Sequence, residues 1–152
     1  VELQSASQGS RMLDLRDFFQ GVRKTALRKD ELLTAITFAR PDDDARCFYY
    51  KLGKRKADAI SIVSIAMILK LDKDIVSASS IGLGAVAPVA LRAVAAENTL
   101  KGAALNDDTI SAAAEAAVSD SSPIDDFRAG GDYRRQMVEV LVKKGLNAIK
   151  DA

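Results

Sequence analysis

The sequence predicts an α+β domain, an antiparallel sheet with three helices packed on one face. Three observations carry this. Ala59 to Pro88 reads as two strands joined by a tight charged turn. Strand-like stretches crowd the first half of the chain, and alanine-rich helical stretches fill the second. No internal repeat interrupts that order.

The central stretch shows the clearest periodicity. Val63, Ile65, Met67, Leu69 and Leu71 fall on one face of a strand. Ile62, Ser64, Ala66, Ile68 and Lys70 form the other face, which grows polar toward the turn. Leu71-Asp72-Lys73-Asp74 supplies the reversal, because acidic side chains there can bond their own backbone. Ile75 to Leu83 returns with many Ser and Gly residues, so its small side chains permit close approach. Pro88 has no N–H to continue a ladder and suits the first turn of a helix.

The other elements follow in order. Val1, Leu3 and Ser5 alternate with Glu2 and Gln4, and Gln8-Gly9-Ser10 turns the chain into a hairpin. The first strand has no lead-in, which suggests a truncated or processed chain with more sequence upstream. Leu15 to Gly21 reads as a short helix ended by glycine, and Arg23 to Lys29 as an exposed basic stretch. Leu32, Thr34, Ile36 and Phe38 give a strand after Asp30-Glu31, and Pro41 to Asp44 a loop. Arg46 to Leu52 is β-prone, and Gly53 to Asp58 is a basic connector.

Helices then take over. Val89 to Leu100 places Val89, Ala93, Ala96 and Leu100 on one face. Asn106-Asp107-Asp108 caps a helix over Thr109 to Val118. Asp132 caps a last helix from Tyr133 to about Lys150, whose Val138, Leu141, Val142 and Ile149 recur at helical spacing. Arg134, Arg135, Lys143, Lys144 and Lys150 are expected to face water.

Composition narrows the function classes. At 152 residues and 48% hydrophobic the chain can build one ordinary core. Its 22 basic and 21 acidic residues nearly cancel, which argues against nucleic acid as a partner. No apolar run approaches the roughly 20 residues that span a bilayer. A chain with no histidine and only Cys47 cannot by itself assemble a zinc or iron–sulfur site or a histidine-assisted nucleophile. A reduced, cytoplasmic setting is expected.

Four features invite a chemical reading. Gly82-Leu83-Gly84-Ala85-Val86-Ala87 fits a G-x-G-x-x-A phosphate loop, but a second alanine-rich helix follows where a parallel strand is needed. Glycines that let a helix pack closely on the sheet are the better account. Lys51, Lys54, Arg55 and Lys56 beside Tyr49 and Tyr50 either hold a phosphate or form a solvated connector balanced by Asp42 to Asp44. Asp125, Asp126 and Asp132 suit capping and salt bridges better than metal binding. Cys47, among aromatics on a strand, reads as a small buried hydrophobe.

Five blocks in order carry a family resemblance over nearly the whole chain. They are DFFQGVRKT with DELLTAITF, YYKLGKRKADAISIVSIAM, IGLGAVAPVALRAVAAENTLKG and DDFRAGGDYRRQMVEVLVKKGL. The chain resembles the C-terminal domain of the FAD-binding medium subunit of the molybdenum hydroxylases, the family of xanthine dehydrogenase and the carbon monoxide dehydrogenase flavoprotein. The resemblance implies residues 1–28 as the end of the FAD-binding domain and 29–152 as the C-terminal domain.

The resemblance also implies a role. The subunit is part of a cytoplasmic oxidoreductase and passes electrons from iron–sulfur clusters through FAD to an acceptor. Its partners are the N-terminal FAD-binding domain and the molybdopterin and iron–sulfur subunits. FAD is held mainly by Gly-rich loops of that N-terminal domain, so the chain alone is expected to be inactive. Two residues carry over to the cofactor: Lys51, from the K-x-x-x-R block Lys51 to Arg55, and Leu33, from the ELL segment. The alternative is a non-catalytic docking module with no cofactor contact of its own.

Overall fold

The computed structural model describes residues 1–55 and 59–152. Lys56, Ala57 and Asp58, part of the expected basic connector, lie outside the described residues. The chain divides into two compact units, Val1–Pro41 and Asp42–Ala152.

In the first unit, β1 (Glu2–Ser5) and β2 (Gly9–Met12) form the expected hairpin. The alternation works as a buried stripe: Val1, Leu3 and Ser5 are all buried, with Phe18 packed beside them. The short helix α1 (Leu15–Phe18) stops earlier than expected. Phe19 leaves helical geometry to start β3 (Phe19–Gly21), which pairs antiparallel with β4 (Lys24–Thr25). Gly21 is therefore a hairpin residue rather than a helix cap. Strand β5 (Glu31–Ala35) joins the other edge of β1, giving the order β2-β1-β5. It ends before Ile36 and Phe38, both exposed.

The second unit is the α+β body. β6 (Arg46–Gly53), β7 (Ser61–Asp72), β8 (Ile75–Gly84) and β9 (Leu91–Arg92) make an antiparallel sheet in chain order. Val63, Ile65, Met67 and Leu69 of β7 are buried, as their period-two spacing dictates. The reversal is tight: Asp72 pairs with Ile75, and Lys73 takes a left-handed φ of 55°.

Three helices cover that buried face. α2 (Val94–Leu100) packs on β8, α4 (Gly131–Lys150) on β6 and β7, and α3 (Asp107–Ser119) bridges α2 and α4. Ala113, Ala114 and Ala117 are fully buried on α3, where small side chains let helices come close. Asn106 caps α3, its side-chain oxygen accepting from the Thr109 N–H at 2.9 Å.

Two helix starts differ from expectation. The helix expected from Val89 begins only at Val94, because Leu91 and Arg92 first pair with β8. Pro88 thus precedes an edge strand, not a helical turn. The last helix has Gly130 at its N-cap, and its first N–H, of Gly131, donates to Asp125 Oδ1 at 2.6 Å. Asp132 sits inside the first turn and pairs with Arg135.

Candidate functional site

Alternation along β6 decides what each side chain can reach. Phe48, Tyr50 and Leu52 turn toward the helices and pack against the core, while Cys47, Tyr49 and Lys51 are exposed. Cys47 is therefore a surface thiol and not the buried hydrophobe expected, because its register places it opposite Ile68 on the open face.

Lys51 pairs across the ladder with Ser64. Among the described residues nothing holds its ammonium by hydrogen bond or ion pair. It lines an open cleft of about 390 Å³ with Tyr50, Leu52, Gly53, Lys54, Arg55 and Ala59. Beside the cleft the ladder shifts register between Leu52 and Gly53, and Gly53 approaches Ala59 so closely that a Cβ there would lie 2.6 Å from the alanine methyl. Among the described residues Lys51, Lys54 and Arg55 line this space, and its basic lining suits an anion.

Two of the expected balancing acids are engaged elsewhere. Asp42 and Asp44 are engaged by Lys70, at 2.8 Å and 3.5 Å. Lys54 instead donates to the Phe127 carbonyl at 2.8 Å. Leu33 stands in the other unit, on β5, directly across from Leu3 and 39% exposed. Leu33 and Lys51 are each fixed by their own strand.

The glycine motif resolves plainly. Gly82 and Gly84 lie on β8, antiparallel to β7, and no βαβ unit surrounds them. A side chain at Gly84 would collide with the Ser64 hydroxyl, so that glycine admits a neighbouring strand and not a helix. The glycine that does admit a helix is Gly145 on α4: a Cβ there would lie 2.7 Å from Met67 Sδ and 2.8 Å from Phe48 Cδ1.

The side chain that the sequence reading placed wrongly is Arg134. It is 3% exposed, not solvent-facing. Its Nη1 donates to the carbonyls of Ile62 and Ala85, both at 2.8 Å, and its Nη2 to Asp126 Oδ1 at 2.7 Å. Burial alone pushes the Asp126 carboxyl up, but the Arg128 and Ala129 N–H groups and the Arg134 guanidinium outweigh it and hold its pKa at about 2. The signal was present: Arg134 lies four residues before Val138, on the apolar stripe.

A sheet of this order, roofed on one face by helices, is the fold shared with CO dehydrogenase chains of known structure. The sequence model of the CO dehydrogenase flavoprotein C-terminal domain matches residues 48–149, and the chain belongs to that family. It is 32% identical over 140 residues to the carbon monoxide dehydrogenase medium chain of Hydrogenophaga pseudoflava, covering 92% of this chain and 48% of that one. It is 30% identical over 138 residues to a xanthine dehydrogenase FAD-binding subunit of Escherichia coli, covering 90% and 47%. Reconstituted CO dehydrogenase from Oligotropha carboxidovorans superposes with a TM-score of 0.91 at 31% identity, over 99% of this chain and 52% of that chain. The chain thus spans about half the length of the relatives it matches. None of the described helices is long and apolar enough to cross a membrane.

Proposed function

We propose that this chain is the C-terminal part of the FAD-binding, electron-transferring subunit of a molybdenum-containing hydroxylase or dehydrogenase. In this reading residues 1–28 end the FAD-binding domain and 29–152 form the C-terminal domain, with β5 lying in the first compact unit. The partners are the N-terminal FAD-binding domain and the molybdopterin and iron–sulfur subunits, in the cytoplasm. Bound FAD supplies a carrier that accepts electrons from the iron–sulfur side and releases them to an acceptor. The chain alone is inactive, since most of the cofactor's grip lies in the other half of the subunit.

The observation that carries this reading is the family membership joined to Lys51. Its ammonium, unpaired among the described residues and on a basic cleft, fits an anionic cofactor: it binds and orients the flavin by charge and favours negative charge on it. Leu33 supplies an apolar contact. The exposed Ile124 and Phe127 favour an additional docking role.

The test is Lys51→Ala in the complete subunit. FAD affinity should fall and the flavin midpoint potential should become more negative, because a nearby cation stabilises the reduced, anionic form. If both stay unchanged, Lys51 has no cofactor role.

A further inference from the structure

The described residues on either side of the cleft are both linked to one side chain, Lys54 indirectly and Ile62 directly. On the entry side, Lys54 donates to the carbonyl of Phe127. That carbonyl belongs to a turn built on Asp126, whose Oδ1 accepts from the N–H groups of Arg128 and Ala129 at 2.8 Å and 3.2 Å. The same carboxylate oxygen is held by Arg134. On the other side, at the start of β7, the Ile62 carbonyl accepts directly from Arg134. A third bond goes to the carbonyl of Ala85, a residue with a left-handed φ of 65°.

We infer that Arg134 is a positioning residue for the basic cleft: through Asp126 and Phe127 it places Lys54, and through Ile62 it places the chain leaving the cleft, so that Lys51 meets its anionic ligand on a rigid frame. The inference rests on the reading of Lys51 given above. A guanidinium suits the task because its planar fork reaches three acceptors at once, which an ammonium cannot match in direction. Its Nε is buried with no partner among the described residues, so the group is kept for the geometry of its two terminal nitrogens and not for full satisfaction of its donors.

The experiment uses the complete subunit and three variants: Arg134→Lys, Lys54→Met and Lys51→Ala. FAD binding is read by fluorescence quenching, the flavin midpoint potential by spectroelectrochemistry and folding by thermal unfolding. Arg134→Lys should weaken FAD binding about ten-fold and shift the potential, the order expected when a supporting contact is loosened. Lys54→Met, which leaves the buried guanidinium intact, should weaken binding in the same direction and keep the melting temperature of the parent. Should Arg134→Lys lower only the melting temperature while Lys51→Ala weakens binding, the positioning role is wrong and the reading of Lys51 stands. Should Arg134→Lys fail to fold, Lys54→Met decides: unchanged binding overturns the role. An effectless Lys51→Ala overturns both.

Discussion

Gly145 on α4 lies against Met67 on β7 so closely that a Cβ would approach the thioether sulfur to 2.7 Å and the Phe48 ring to 2.8 Å. This contact seats the longest helix on the sheet. Met67 is 1% exposed and cannot swing into solvent. Gly145→Val should therefore destabilise the protein by about 2 kcal/mol through overpacking. The gain in helix propensity from leaving glycine is only a few tenths of a kcal/mol for a β-branched residue. Denaturant unfolding of the variant checks the sign.

Gly84 and Ser64 make a smaller version of the same relationship. A methyl at position 84 meets the Ser64 hydroxyl, whereas the Ser64 Cβ itself stands 3.8 Å away. Gly84→Ala should destabilise alone and be rescued by Ser64→Ala. The double-mutant cycle should return a favourable coupling of about 1 kcal/mol. Simple additivity would mean that the hydroxyl rotates aside at no cost.

Asn106 caps α3 through the Thr109 N–H. Asn106→Ala should cost about 1 kcal/mol, and Asn106→Ser much less. Chemical denaturation of the two variants side by side separates a lost cap from a surface change.

Acid should loosen both units through two carboxylates. The Arg11 guanidinium, outweighing the effect of burial, holds Glu31 from its ordinary 4.5 down to about 2, with help from the Arg28 N–H. Asp126 falls from 3.8 to about 2 against its own burial. Both pKa values are depressed in the folded state, so the unfolded chain binds more protons across this range. The stability they give is complete above about pH 4.5 and is lost as the pH drops toward 2. Unfolding measured between pH 6 and about 2 should show this fall, and Glu31→Gln should flatten the share belonging to the first unit.

The fold class, the central hairpin, the N-terminal hairpin and the cap of α3 were all legible along the chain. These are local consequences: period-two burial across β7, a tight reversal at Asp72 to Asp74, and a side-chain oxygen three residues before a free N–H. The basic stretch around Lys51 was visible too. Tertiary structure decided what those charges do. Whether Asp42 and Asp44 serve Lys70 or the cleft depends on strands brought together across the sheet. Whether Arg134 faces water or three acceptors depends on carbonyls 49 and 72 residues away in the chain. The same holds for the glycines, since only the packed neighbour reveals that Gly84 makes room for Ser64 and Gly145 for Met67. A charge or a missing side chain has no fixed meaning along the chain, because its energy depends on the partners and solvent that the fold places around it.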